Sequence, residues 1–250
     1  MLAAAADSGP GGNPPSVAAV RFMLLTRDGL REITLTTLVL GGGGGVAAYL
    51  AVTASPWFWL VAVPGLAAWL FTLCFFRDPP RTVPAGEGLL VAPADGKVTE
   101  ITQLESHEGI DGPALRIGIF LSIFDVHINR APCAGRVTAT AYTPGEFLDA
   151  RHEQSGARNE ANTVIINPTA PIKGPVIVRQ IAGLIARRIV CRVGTGATVA
   201  RGEKFGMIKF GSRTELIVPA GGGLEPAVKL NDHVRAGRTI IMRPAGSGTT

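Results

Sequence analysis

The sequence predicts a mostly β domain preceded by an N-terminal transmembrane helical hairpin. Three observations predict it. Ile33 to Phe76 contains no charged residue. All three tryptophans, Trp57, Trp59 and Trp69, fall inside that stretch. Beyond Pro79-Pro80, short β-rich runs alternate with Gly and Pro turns, the pattern of an antiparallel β domain.

Residues 1–32 form the first unit, a flexible N-terminal segment. Its first 20 residues are rich in Ala, Gly and Pro and carry one charge. No positive segment precedes an early apolar core, so a cleaved signal peptide is not expected.

Residues 33–76 form the hairpin. Ile33 to Val52 and Trp57 to Phe76 are each about 20 apolar or small residues, enough to cross ~30 Å of hydrocarbon. Thr53-Ala-Ser-Pro56 supplies the turn between them. The run Gly41 to Gly45 weakens a helix but permits close contact with a neighbouring one. Arg21, Arg27 and Arg31 precede the hairpin, and Arg77 and Arg81 follow it. The positive-inside tendency puts both flanks in the cytoplasm, with the hairpin in the cell (inner) membrane. Phe75, Phe76, Trp57 and Trp59, near the segment ends, suit interfacial anchoring.

Residues 77–250 form the β-rich unit. Strands are expected at Leu89–Val91, Leu115–Phe124, Arg136–Tyr142, Thr163–Asn167, Val176–Ala182, Ile189–Val193, Phe205–Phe210, Glu215–Val218 and Thr239–Met242. Phe147 to Arg158 reads as a short helix or loop. Two segments, Val199 to Phe205 and Val234 to Ile240, repeat a strand end, tight turn and new strand. Ala94 to Val98 is a third such unit. This resembles the barrel-sandwich hybrid folds of lipoyl carriers and sugar-transport phosphocarriers, a likeness of fold alone.

Charge separates the parts as well. Residues 1–76 balance three arginines against Asp7, Asp28 and Glu32, so the rest of the chain holds the whole +5. A basic unit tethered beside a bilayer suits an anionic lipid surface. The basic residues are scattered and match no nucleic-acid-binding motif, so no nucleic acid partner is expected. Cys74, Cys133 and Cys191 fit no zinc spacing and no disulfide framework. Cys191, between Val190 and Val193, reads as a strand residue.

The chemistry centres on Gly211-Ser212. Such a pair is ordinarily a turn. It is also a plausible self-cleavage site, because glycine leaves its carbonyl open and the serine hydroxyl lies one residue away. Attack would turn the amide into an ester. Elimination and hydrolysis would then leave a pyruvoyl group and ammonia. His127, in the apolar run Leu121 to Ile128, can act as a base near neutral pH. Asp95, which alone reads as a turn residue before Gly96, is a candidate to fix the imidazole tautomer. Asp125 would point to the opposite face of an extended segment. Asp95, His127 and Ser212 together would make a hydrolase-type relay.

Four motifs then carry a resemblance. They are Phe76-Arg-Asp-Pro79, Pro93-Ala-Asp-Gly-Lys-Val98, Ser122-Ile-Phe-Asp-Val-His-Ile-Asn-Arg-Ala-Pro132 and Arg201-Gly-Glu-Lys-Phe-Gly-Met-Ile-Lys-Phe-Gly-Ser-Arg213. In order, over roughly Phe76 to Pro219, they resemble phosphatidylserine decarboxylase proenzymes of the short bacterial and archaeal branch. The resemblance implies that Asp95, His127 and Ser212 drive maturation at Gly211-Ser212, giving large and small chains of one precursor. It implies a pyruvoyl cofactor made from Ser212, with no metal, acting as the electron sink for decarboxylation of phosphatidylserine in an anionic membrane. Arg213, Lys209 and Arg130 are candidates to hold the head group. Gly221 to Gly223 could approach it, although a flexible turn is the simpler reading. A homo-oligomer is compatible with the sequence.

Two departures stand out. The longer branch has an extra histidine where this chain has Phe124, which leaves His127 alone for later proton transfer. The family's Asn-Glu-Arg-Asn reads Asn159-Glu-Ala-Asn162 here, with Arg158 a candidate replacement. Two other readings compete: another serine phospholipid such as archaetidylserine as substrate, and a membrane-tethered carrier using Lys97 or His127. A zinc endopeptidase fares worse, since His107, His127, His152 and His233 form no His-x-His pair.

Overall fold

The computed structural model describes residues 25–149, 154–184, 188–209 and 212–246. The expected flexible segment before residue 25, and Gly211 itself, lie outside them.

Two apolar helices come first. One runs from Arg27 to Thr53 and the other from Pro56 to Phe75, 27 and 20 residues. At 1.5 Å per residue they reach about 40 and 30 Å, enough to cross a bilayer. The first comprises α1 (Leu30–Thr36), a π-helical stretch (Thr37–Gly42) and α2 (Gly43–Thr53). The second is mainly α3 (Trp59–Phe75). The glycine run does what its composition predicts: a Cβ at Gly44 would lie 3.0 Å from Leu66, and Gly65 faces Gly44 across the pair. Trp69 Nε1 donates to Thr37 Oγ1 at 3.0 Å. Away from that seam the helices are bare, with Leu38, Tyr49, Trp57 and Leu60 all exposed. The Thr26 N–H donates to the Phe76 carbonyl at 2.9 Å and closes the base of the pair.

The rest is β. Fourteen strands among the described residues form one eight-stranded sheet and two of three strands. The large sheet contains β2 (Gly96–Leu104), β3 (Ala114–Leu121), β5 (Gly135–Thr143), β6 (Ala161–Pro168), β7 (Val176–Ile181), β9 (Thr198–Val199), β11 (Ser212–Pro219) and β13 (His233–Val234). Its order is β13-β2-β3-β11-β7-β6-β5-β9, antiparallel throughout. β11 therefore lies inside the sheet, between β3 and β7. One small sheet joins β4 (Ile128–Arg130), β10 (Lys204–Lys209) and β8 (Arg188–Cys191). The other joins β1 (Leu90–Val91), β14 (Ile240–Pro244) and β12 (Leu224–Pro226).

Alternation along the strands makes the core. Ile117, Ile119 and Leu121 of β3, Leu216 and Val218 of β11, Val176 and Val178 of β7, and Val164 and Ile166 of β6 all point inward and are closed to solvent. Each such side chain contributes about 1.5–3 kcal/mol of burial. The large sheet curls round this core, in keeping with the expected mostly β fold. A short helix, α4 (Ser155–Arg158), lies within the expected helix-or-loop segment.

Candidate active site

Backbone pairing brings the three motif segments together at one end of the large sheet. Ser212 opens β11 opposite Leu121, the last residue of β3. From Leu121 the chain turns through Ser122–Asp125 to His127 and β4. The His127 carbonyl accepts the Ile208 N–H at 3.2 Å, and Ile128 pairs with Met207 of β10. Ile208 of β10 is thus tied to His127, and Ser212 of β11 to Leu121. Four residues span at most about 14 Å, so Ser212 cannot stray far from Ile208. The Asp95 turn joins the same corner: Pro93 O accepts the Arg130 N–H at 2.9 Å. Gly96 has φ +146° and leaves no room for a Cβ, which would meet the Phe120 carbonyl at 2.1 Å.

Ser212 is 0% exposed, and its Oγ has no hydrogen-bond partner among the described residues. A strand serine normally satisfies its hydroxyl, because a buried unpaired one costs about 1–3 kcal/mol. An orphaned hydroxyl fits a group held for chemistry.

His127 is also fully buried. Its Nδ1 lies 3.0 Å from the Asp125 carbonyl. A carbonyl only accepts, so the proton is assigned to Nδ1 and the lone pair to Nε2. Burial pushes the imidazole pKa down to about 4, with the Arg77 charge acting in the same direction and the Asp125 hydrogen bond opposing. The segment is not extended as the sequence suggested. Asp125 Oδ2 accepts the Ser122 N–H at 2.8 Å and folds residues 122–125 into a tight turn, which aims the Asp125 carbonyl at the ring.

Asp95 lies in this corner with both carboxylate oxygens engaged elsewhere. Oδ2 accepts from Arg81 at 2.6 Å and Oδ1 from the Ala236 N–H at 2.7 Å. Burial raises its pKa, outweighing the lowering by Arg81 and the Ala236 N–H. The tautomer-fixing contact expected of Asp95 is made in this structure by Asp125.

The three candidate head-group cations each face a carboxylate. Arg213 bonds Glu100 and, at 2.9 Å, Glu215. Lys209 pairs with Glu32 at 2.6 Å. Arg130 lies 3.5 Å from Asp78 and donates to Gly202 O at 2.9 Å. Arg158 pairs with Glu146 on the surface. Gly221 to Gly223 follow the far end of β11, about 23 Å from Ser212 at 3.3 Å per residue, so they form a turn remote from this corner. Lys97 lies within β2 rather than at a hairpin tip. The Cys133 thiol is pushed up to about 12 by burial and is no nucleophile. Among the described residues, no group of three or more His, Cys, Asp or Glu is placed to hold a metal ion.

Several organising residues went unnoticed in the sequence. The stretch after the helices acts as a clamp. Arg77 donates to the Cys74 carbonyl at 2.7 Å and to the Phe124 carbonyl at 2.6 Å, Asp78 bonds Lys204, and Arg81 holds Asp95. Phe75 and Phe76, expected as interfacial anchors, are instead 1% and 0% exposed, packed against Ile33 and Met207. Behind Ser212 runs a buried polar chain. Asn162 Nδ2 donates to Gln180 Oε1 (2.9 Å), Gln180 Nε2 to Asn129 Oδ1 (2.8 Å), and Asn129 Nδ2 to Thr214 Oγ1 (3.1 Å). Its sequence signal is a polar residue at an inward strand position, as in Val176-Ile-Val-Arg-Gln180.

Comparison with known proteins shows the family. A family model described as phosphatidylserine decarboxylase matches residues 69–242. A phosphatidylserine decarboxylase proenzyme of Rhodopirellula baltica is 43% identical over 218 residues, 87% of this chain and 87% of its own. One from Syntrophus aciditrophicus is 42% identical over 79% of this chain and 90% of its own. One from Ruegeria pomeroyi is 46% identical over 71% and 80%. With a match of this extent, the chain belongs to the phosphatidylserine decarboxylase family and is a decarboxylase.

Proposed function

We propose that the chain is a proenzyme that cuts itself between Gly211 and Ser212, makes a pyruvoyl group from Ser212, and decarboxylates phosphatidylserine to phosphatidylethanolamine at a membrane. The observation that carries this reading is the buried Ser212 hydroxyl, without a hydrogen-bond partner among the described residues, at the start of a strand paired with Leu121, from which the chain turns to His127.

In this reading His127 Nε2, the lone-pair nitrogen, takes the Ser212 hydroxyl proton as Oγ attacks the Gly211 carbonyl. The Asp125 carbonyl keeps the ring in the required tautomer. Asp95 keeps its assignment to maturation. Its carboxylate and Arg81 close the corner. A pyruvoyl group supplies the electron sink that carbon dioxide loss from an amino acid head group needs. The return of a proton to the product is assigned to His127, which must first gain that proton at Nε2. The two apolar helices span the inner membrane, with the β-rich unit (residues 77–250) on the cytoplasmic side. Head-group anions would have to compete with Glu100, Glu215, Glu32 and Asp78 for Arg213, Lys209 and Arg130.

A denaturing gel and mass spectrometry test the reading. The purified protein should give two pieces, the smaller beginning at position 212 with a pyruvoyl mass. Ser212→Ala should give one band and no carbon dioxide from phosphatidylserine. Carbon dioxide release by Ser212→Ala protein would sink the pyruvoyl assignment.

A further inference from the structure

The second apolar helix ends inside the proposed site. Phe75 closes α3, and its ring centroid lies 4.5 Å from that of the His127 imidazole, the planes inclined by 36°. Both residues are shut off from solvent. The contact belongs to a larger junction. Phe75 and Phe76 form an apolar cluster with Ile33 of α1 and Met207 of β10, separate from the main core. Lys209 reaches Glu32 across the same junction, and Arg77 holds the Phe124 carbonyl. The helices therefore dock on the turn that carries His127 and on β10, the strand before Ser212.

We infer that Phe75 is a positioning residue for His127, its ring sealing one face of the imidazole from water so that an apolar helix supplies a wall of the site. The inference rests on the reading of His127 as the maturation base. A dry imidazole resists protonation, because the charged form loses its hydration there. Water admitted in place of the ring would restore ordinary titration. Charged groups among the described residues bear on the imidazole. Arg77, at the helix exit, opposes the imidazolium, and Asp125, on the same loop, offers its carbonyl. Lys209 of β10 is paired with Glu32, and Asp95 before β2 is paired with Arg81.

The test uses precursor synthesised cell-free into vesicles of phosphatidylethanolamine and phosphatidylglycerol, then shifted to pH 5.5 or 7.5. Cleavage is followed on denaturing gels. A histidine with the ordinary pKa is only about one-tenth neutral at pH 5.5, so Phe75→Ala should cleave about tenfold slower there. At pH 7.5 it should cleave no slower than the unaltered chain. Phe75→Leu, which keeps an apolar wall, should follow the unaltered chain at both pH values. Equal slowing of Phe75→Ala at both would make Phe75 a packing residue and overturn the inference. A second measurement needs no cleavage. In the Ser212→Ala precursor, diethyl pyrocarbonate labelling of His127, read by peptide mass spectrometry, should accelerate several-fold with Phe75→Ala and not with Phe75→Leu. Unchanged labelling overturns the inference. Faster labelling in a chain that never cleaves would support the Phe75 contact while counting against the maturation reading.

Discussion

The two ends of the eight-stranded sheet are built from the same strands and differ in kind. At one end the inward positions of β11, β7 and β6 are Leu216 and Val218, Val176 and Val178, and Val164 and Ile166. At the other end the same strands turn Ser212, Thr214, Gln180 and Asn162 inward, equally buried and polar. Thr214 stands opposite Gln180, and Gln180 opposite Asn162. The difference teaches a division of labour along each strand. The apolar end supplies the burial energy, and the polar end holds a hydroxyl without a hydrogen-bond partner among the described residues.

The sharpest way to break this comparison is to cut into the apolar end alone. Leu216→Ala should destabilise the fold by about 2–5 kcal/mol, read as a lower denaturant midpoint of the detergent-solubilised Ser212→Ala precursor. In the cleavable chain it should leave self-cutting intact at low temperature. Loss of cutting without loss of folding would show that the two ends are not separable.

Acid probes the polar end. The folded His127 pKa of about 4 lies below the ordinary 6.5, so the unfolded chain binds more protons between those values. Stability from this group is fully present above about pH 6.5 and falls by up to about 3 kcal/mol as pH drops to 4. Asp95 acts with the opposite sign. Its raised pKa means that the folded state holds the proton more tightly just above the ordinary carboxylate range, so its contribution improves as pH falls there. His127→Gln in the Ser212→Ala background should flatten the fall between pH 6.5 and 4. An unchanged slope would remove His127 as its source.

The smallest effect is expected from the polar chain. Asn129→Ala removes one partner each from Gln180 and Thr214 and should lower stability by about 1–3 kcal/mol, with slower cutting at every pH. Full-speed cutting would make the chain a stabilising device with no bearing on Ser212.

The same division explains what the sequence disclosed. The hairpin was plain, because a long uncharged stretch has few other uses. Strands with several inward apolar residues, such as β3, β6 and β7, were legible by alternation. β4 and β12 have three residues each, too few to show a period, whereas the ends of β9 and β13 were marked by the tight turns that follow them. β2 hid behind Thr99, Glu100, Thr102 and Gln103. β3 was read too far, to Phe124, because the turn that ends it depends on the Asp125 carboxylate capping the Ser122 N–H. The strand beginning at Ser212 was read as starting at Glu215, since polar inward residues look like loop. At the site, the motifs named Asp95, His127 and Ser212, but not the contacts these residues make. Arg81 on Asp95 and Phe75 on His127 are long-range contacts, invisible to spacing.

β11 is laced between β3 and β7. An incision just ahead of it would leave a short C-terminal fragment interwoven with the remainder and held by strand pairing, core packing and ion pairs. While folded, such a two-piece molecule would keep its shape. Once melted, its fragments would drift apart, and regaining the fold would become a search between separate solutes. Heating would therefore erase the cut form irreversibly at low concentration, whereas an uncut chain could recover.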